Sequence, residues 1–387
     1  MTPPGRIVIV GAGVVGASVA WHLARAGARD VVVVDRAPRA GLGSTGAATG
    51  GFRAQFGSPV NVRLSLLARE KLRRFREEVG ADPGYAPVGY LWLASTPASL
   101  DALRAARRVQ RAHGLAEAVE VGPDELTHLQ PAVDASGVIG AAFCPTDGYI
   151  APLAILEGYL AAAQREGVRV RWDEPVERLD RRPDGRIRGV VTRRGVLECD
   201  AVVDAAGAWA AGVARLAGCE VPISPLRRQI AMTAPTRALP ADAPMTIWCE
   251  DGFHARPRDG RALLAFPAPG DPSDPWSVAV EPAWLSEVAR RKDARLPSLR
   301  PVPLDPAACW AGLYEMTPDR HAILGTAPGC GNLVLAGGSS GHGVMHAPAT
   351  GQLVAELLTT GTCRALDVHA LRPGRFAEND PNPRELL

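Results

Sequence analysis

Residues 6–16 read RIVIVGAGVVG, and residues 17–35 continue ASVAWHLARAGARDVVVVD. The short β-branched run at 6–10 ends at a glycine, as a buried parallel strand does. Helical periodicity follows through Ala17, Ala20, Leu23 and Ala24, and a second apolar strand, Val31 to Val34, ends at Asp35. A glycine motif alone is a weak signal. Here the strand before it, the helix after it and an acid 19 residues beyond Gly16 agree on a dinucleotide-binding βαβ unit. Gly11 permits the tight turn, Gly13 lets the backbone approach a pyrophosphate, and Gly16 lets helix and strand pack closely. Val14 and Val15 carry first-turn N–H groups at a helix N-terminus, where anions are favoured. Asp35, with Arg36 after it, is placed to accept from an adenosine ribose, and an acid there disfavours the 2′-phosphate of NADP.

Working outward, the chain has 387 residues, 47% of them hydrophobic and 22% charged, with net charge +2. This is a globular composition, which excludes collagenous, disordered and membrane-spanning chains, and the length suits two domains. So small a net charge makes no case for nucleic acid. Of 43 basic residues only Lys71 and Lys292 are lysines, so few amines are available for Schiff-base or oxygen-activating roles. The seven cysteines are scattered without CxxC or Cys/His spacing, so neither a disulfide framework nor a metal site is expected. The first apolar run is too short for a membrane span or signal core, and a reducing cytoplasm is the default expectation.

Periodicity predicts an amphipathic helix at 63–79, a strand at 90–94, helices at 97–113 and 151–167, and a strand at 168–172. A hairpin follows at 190–199, then a strand at 201–203 running into DAAGAW at 204–209. His113 and His128 sit in polar surroundings and read as surface residues. A strand at 333–336, the glycine turn at 337–343 and a helix at 347–359 close the pattern, and the tail after Arg372 reads as frayed.

Four segments carry a family resemblance. They are GAGVVG with Asp35; Gly43-Ser44-Thr45-Gly46 running on to Arg53; VVDAAGAW at 202–209; and GLYEMTPDRHAILG with GGSSGHGVMHAP between 312 and 348. Together they resemble the D-amino-acid-oxidase-like (DAO) family of FAD-dependent amine oxidoreductases, nearest to sarcosine oxidase and proline dehydrogenase β-subunits. The residues support FAD over NAD independently. A second glycine-rich turn, including Gly338, lies about 320 residues beyond the first and precedes another helix, as suits a large cofactor gripped by both ends of the chain.

The resemblance implies roles position by position. Gly11, Gly13, Gly16 and Asp35 hold the ADP half, while Ser44 and Thr45 run beside the pyrophosphate and flavin. Val176 grips adenine through its backbone, Ala206 and Gly207 pass beside the cofactor, and Trp209 packs beyond. Gly341, His342, Gly343, Val344 and Met345 border the flavin ring. Arg53 pairs with a substrate carboxylate, for which a guanidinium is suited by its forked geometry. His254 and Arg256 alternate on a strand facing the substrate pocket, and Tyr314 stands where some relatives carry an arginine. His346 satisfies the backbone beyond the turn. Some relatives attach FAD through a cysteine aligned with Gly312; here Cys309 lies three residues earlier, so non-covalent FAD is expected. Relatives also carry lysines where this chain has Met345 and Leu264 or Ala265, which favours a dehydrogenase at least as much as an oxidase.

The expected fold is α/β. A discontinuous Rossmann-like FAD domain takes 1–80, 145–215 and 318–387, and a substrate domain on a mixed or antiparallel sheet takes 81–144 and 216–317. The expected activity is oxidation of the C–N bond of an amino acid or N-alkyl amino acid by hydride transfer to flavin, with oxygen or another carrier as acceptor. The alternatives are a flavin-dependent 2-hydroxy-acid dehydrogenase and a subunit active only with a separate partner chain.

Overall fold

A computed structural model describes residues 5–267 and 274–384. Residues 1–4, 268–273 and 385–387, which belong to the expected domain segments 1–80, 216–317 and 318–387, lie outside the described residues. The N-terminal motif opens a six-stranded sheet in the order β18-β19-β12-β1-β2-β8. Its strands are β1 (Arg6–Val10), β2 (Asp30–Val34), β8 (Arg169–Arg171), β12 (Ala201–Asp204), β18 (Ile323–Thr326) and β19 (Leu333–Gly337). All pairs are parallel except β18 with β19. Both faces are buried, which is why the strands read as unbroken apolar runs. Ile7, Ile9, Val31 and Val33 face a helical layer, α1 (Val14–Arg25), α2 (Pro59–Glu78), α5 (Pro152–Arg165) and α8 (Gly343–Thr360). Val8, Val10, Val32 and Val34 face the opposite layer, a three-stranded antiparallel sheet of β9 (Val176–Arg181), β10 (Ile187–Thr192) and β11 (Gly195–Glu198) with α6 (Ala210–Leu216).

The second unit is an eight-stranded sheet in the order β17-β13-β16-β15-β14-β4-β6-β5. It uses β4 (Tyr90–Ala94), β5 (Val119–Val121), β6 (Gly140–Cys144), β13 (Ser224–Met232), β14 (Met245–Trp248), β15 (His254–Arg258), β16 (Arg261–Ala265) and β17 (Trp310–Met316). Only β4 with β14 is parallel, so the sheet is mixed. Alternation along β4 sends Leu91 and Leu93 into a core shared with α7 (Pro282–Arg295), and Tyr90 and Trp92 to the other face. The outer edge carries α3 (Pro97–Ala112), capped by Thr96, and α4 (Pro123–Leu129). A separate two-residue ladder pairs β3 (Gly51–Phe52) with β7 (Gly148–Tyr149).

Three local expectations change. The amphipathic helix expected from residue 63 begins at Pro59, because a proline is accommodated in a first turn whose N–H groups lack partners anyway. The last helix begins at Gly343 instead of 347 and carries Pro348 inside it. Its packing on α1 overrides the proline signal: a Cβ on Gly351 would come within 2.1 Å of Ser18 Oγ, so the two helices meet almost backbone to backbone. The C-terminal tail is anchored through Arg375, which is fully buried. Its guanidinium donates to both oxygens of Asp319, at 2.8 and 3.0 Å, and Asn382 adds two more bonds to the same carboxylate.

Candidate active site

The carboxyl ends of β1, β2 and β12 open onto a cavity of about 530 Å³, closed on its far side by β13 and β17. Two helix N-termini meet it. Gly13 is the N-cap of α1 and His342 that of α8, and in neither does the cap side chain bond the first turn. Gly13, Val14 and Val15 line the cavity from one side, and Gly341, Gly343 and Val344 from the other. First-turn N–H groups without a partner inside their own helix and the positive ends of two helix dipoles therefore converge on one space.

Gly11 has φ +105°, and a Cβ there would strike the Ala205 carbonyl at 2.4 Å; no other residue fits this turn. Gly16 does not line the cavity. It lets α1 sit against the turn, since a Cβ would come within 1.9 Å of the Gly11 carbonyl oxygen. Asp35 lines the cavity with both oxygens already engaged, accepting from Ala12 N–H at 2.7 Å and Ala37 N–H at 2.8 Å. It braces the glycine turn as well as facing the site. Val176 and Arg36 line the same end, and Arg36 stacks over Trp209 at 3.8 Å. Trp209, together with Ala206 and Gly207, lines the cavity rather than packing beyond it, and its outer face stacks on Trp276.

Ser44 and Thr45 line the middle of the cavity. Thr45 Oγ accepts from Val14 N–H at 3.2 Å, and Ser44 Oγ donates to the Leu313 carbonyl at 2.7 Å, tying the loop to both units. Tyr314 lines the far end, its ring so close to Gly341 (φ +91°) that a Cβ there would come within 2.4 Å. Gly338 and Met345 do not line the cavity: Gly338 shapes the turn against Thr317, and Met345 is buried in the helical core. His342 is also behind the wall. Its Nε2 sits 3.0 Å from Arg53 Nη2, and burial, reinforced by the Arg53 charge, holds its pKa well below the ordinary value, so the imidazole is neutral and accepts.

Arg53 itself is 6% exposed. Its guanidinium donates to the Gln55 carbonyl at 2.6 Å and lies over the rings of Phe56 at 3.8 Å and Trp92 at 5.1 Å. It stands behind the 341–343 turn, not in the cavity wall. His254 is half-buried, its Nδ1 bonded to the Gly252 carbonyl at 3.0 Å, and burial lowers its pKa. It does not line the cavity, and Arg256 turns to the backbone of residues 49 and 50. His346 bonds the Ser65 hydroxyl at 2.8 Å rather than the backbone.

Three further groups shape the site. Asp147 is fully buried and accepts from Ala54 N–H at 2.8 Å and Gln55 N–H at 3.4 Å, fixing the segment that carries Arg53. Burial pushes its pKa up to about 6 against those hydrogen bonds. Only the Asp147-Gly148 turn pair could have flagged it. Arg228, from β13, brings a cation into the cavity wall, and it faces the Tyr314 ring at 5.5 Å. Glu315 lines the same end. One oxygen accepts from Ser339 N–H at 3.1 Å while the other, Oε2, is buried without a hydrogen-bond partner, and burial raises the pKa.

The cavity thus offers anion-binding backbone at two helix N-termini, an acid at the end of the second strand and an orphaned buried carboxyl oxygen, a donor set that fits a dinucleotide flavin. The DAO family profile, described as FAD dependent oxidoreductase, matches residues 6–357. The chain belongs to the DAO family of FAD-dependent oxidoreductases. It is 30% identical to FAD-dependent oxidoreductase domain-containing protein 1 of Xenopus laevis, over 98% of this chain and 84% of that protein. It is 27% identical to the mitochondrial dimethylglycine dehydrogenase of Mus musculus over 96% of this chain, which spans only 44% of that longer protein. Among solved structures, L-proline dehydrogenase from P. horikoshii superposes with a TM-score of 0.90 at 27% identity, covering 99% of this chain and all of that one. Within the DAO family this chain is related to amino-acid and N-methyl amino-acid oxidases and dehydrogenases. No helix among the described residues is long and apolar enough to cross a membrane.

Proposed function

We propose that this DAO-family chain holds FAD non-covalently in the cavity and oxidises the C–N bond of a small amine that carries a carboxylate. The observation that carries the reading is Arg53, a buried guanidinium walled by aromatic rings and held by a neutral histidine immediately behind the 341–343 turn. Because His342 is uncharged, it orients the guanidinium without cancelling its charge. The named substrates of the dimethylglycine and proline enzymes both join an amine to a carboxylate, which accords with such an anchor. Non-covalent binding is supported by the wall itself: no cysteine or histidine is among the lining residues, and the Cys309 thiol donates to the Asp305 carbonyl.

When bound, FAD supplies the two-electron acceptor. The chain's own residues do the rest. Gly13 and Val15 would present backbone N–H groups to the pyrophosphate, and the α8 N-terminus would favour negative charge on the reduced ring. Arg53 fixes the carboxylate, so that the C–H bond next to nitrogen is presented in one orientation, and Phe56 and Trp92 exclude water around it. Tyr314 and Arg228 close the opposite wall. Loss of hydride from the carbon of a neutral amine leaves an iminium cation, which water hydrolyses to a carbonyl compound and a protonated amine. No dedicated base is required when the amine arrives neutral. The proposed division of labour puts cofactor binding on segments 1–80, 145–215 and 318–387 and substrate binding on 81–144 and 216–317, with Arg53 and Phe56 of the first segment also reaching the substrate.

The test is anaerobic. The purified chain, alone, is mixed with amino acids, N-methyl amino acids and the matching 2-hydroxy acids, and bleaching of the flavin is followed. Bleaching by an amine-bearing acid, with the imine product trapped, supports the reading. Bleaching by hydroxy acids only overturns it. Turnover with oxygen or an artificial acceptor in the same samples shows whether the chain acts without a partner.

A further inference from the structure

Four consecutive carbonyls of the cofactor-facing loop, Ala47 to Gly50, accept hydrogen bonds from side chains of the eight-stranded sheet. Trp310 Nε1 donates to Ala47 at 2.9 Å, and Arg258 Nη1 to Ala48 at 3.2 Å. Arg256 Nη1 donates to both Thr49, at 2.7 Å, and Gly50, at 3.0 Å. Ala47, Ala48 and Thr49 line the cavity, and the same loop touches the α1 N-terminus through Thr45. The donors come from β15 and β17, more than 200 residues away in sequence. A surface loop would ordinarily leave such carbonyls to water. Here every one is held by the opposite unit.

Arg256 is the unusual member. It is 8% exposed, its guanidinium lies 3.6 Å over the Tyr149 ring, and it forms no ion pair with a carboxylate among the described residues. Burial pulls its pKa down to about 10. Burying a cation without a counter-ion is costly, and a neutral side chain would avoid the cost. What the guanidinium does in return is specific: one nitrogen bridges two successive carbonyls while Nε takes a third, that of Pro257, at 3.0 Å. An ammonium cannot stack on a ring and fork to these acceptors together. Arg258, stacked over Trp310 at 5.2 Å, extends the same grip by one residue.

We propose that Arg256, with Arg258 and Trp310, is a clamp by which the substrate-side sheet fixes the 47–50 loop and so positions the cofactor. Arg256 is a positioning residue in this scheme: it touches the loop, and the loop borders the cavity. Seating of the sheet and closure of the loop over the cofactor are then one event, and cofactor affinity depends on a residue of the other unit. The inference rests on the reading of the cavity as the FAD site.

The experiment titrates FAD into the FAD-stripped full chain, following fluorescence quenching and the visible circular dichroism of the bound flavin. Arg256→Met should weaken FAD binding by about tenfold or more and alter the dichroism, as expected for loss of charge-assisted bonds. Trp310→Phe, which removes one neutral donor and keeps the ring, should weaken it by about threefold. Arg256→Lys should fall between parent and Arg256→Met. Gly13→Val has room at Cβ, 3.5 Å from Thr45 Oγ, yet blocks the approach of a pyrophosphate, and should abolish binding. If Gly13→Val abolishes binding while Arg256→Met and Trp310→Phe bind FAD as the parent does, the clamp is overturned and the cavity reading stands. A lowered melting temperature of the FAD-free variants with unchanged affinity and dichroism is that same negative result, a merely structural role. Parent-like binding by Gly13→Val overturns the cavity reading and the clamp with it. Should Arg256→Met fail to fold, Arg256→Lys and Trp310→Phe decide: parent-like affinity in both overturns the clamp.

Discussion

Replacing Arg53 tests the proposed substrate class most directly. The guanidinium donates to the Gln55 carbonyl and to His342 Nε2 and lies against the rings of Phe56 and Trp92. Truncation to alanine would therefore also open a void and leave His342 without its donor, mixing stability with recognition. Arg53→Met fills the same space without charge, and Arg53→Lys keeps the charge without the fork. Losing one partner of a buried, charge-assisted pair costs about 2–5 kcal/mol, because the carboxylate is desolvated with nothing to meet it. At about 1.4 kcal/mol per decade, kcat/KM for a carboxylate-bearing amine should fall by roughly 30- to several-thousand-fold in Arg53→Met. Arg53→Lys should recover part of that, since an ammonium cannot reproduce bidentate geometry. The assay is steady-state turnover with an artificial acceptor, beside FAD content and melting temperature for each variant. FAD content should stay near the parent's, because the glycine turn that meets the pyrophosphate lies elsewhere. Parent-like kcat/KM in a folded, FAD-replete Arg53→Met would refute the assignment and direct attention to Arg228, which lines the cavity beside Tyr314.

Acid precipitation of the holoprotein should release all flavin to the supernatant, because no thiol or imidazole among the described residues lines the cavity; colour retained in the pellet contradicts this. Asp319→Ala should lower unfolding free energy at neutral pH by about 3–5 kcal/mol, since it strands the buried Arg375 guanidinium. Burial opposes ionisation of Asp319, but the Arg375 hydrogen bonds and charge outweigh it and hold the carboxyl well below its usual range. Its stabilisation is therefore present above the unfolded pKa of about 4 and lost as pH falls towards the depressed folded value, so urea denaturation should show parent and variant converging in acid. Gly16→Ala should yield little folded protein by circular dichroism, because the added methyl would sit 1.9 Å from the Gly11 carbonyl oxygen; a stable, FAD-binding variant would show that α1 can shift.

Local signals made the cofactor half readable. β1, the Gly11–Gly16 turn, α1 and β2 lie in 29 continuous residues, and each is specified by near neighbours: β-branched runs, a left-handed glycine and helical spacing. The later glycine turn could likewise be matched to a second helix start, although that helix begins at Gly343, four residues before the expected 347. What the sequence left open depends on residues that meet only after folding. Arg256 and Trp310 find the carbonyls of residues 47–50 across more than 200 positions, and Asp147 finds Ala54 across 93. The C-terminal tail, polar and proline-bearing, reads as frayed until Arg375 is seen to meet Asp319. Side-chain direction was equally hidden: strand alternation places Arg256 and His254 on one face but does not say that the guanidinium bends to the loop while the imidazole bonds Gly252. Periodicity is a property of consecutive residues, so the βαβ unit, its glycines and the family could be read from the chain alone. Hydrogen-bond partners and burial belong to pairs distant in the chain, so which arginines face the cavity, which hold its walls and which fasten its tail emerges only on folding.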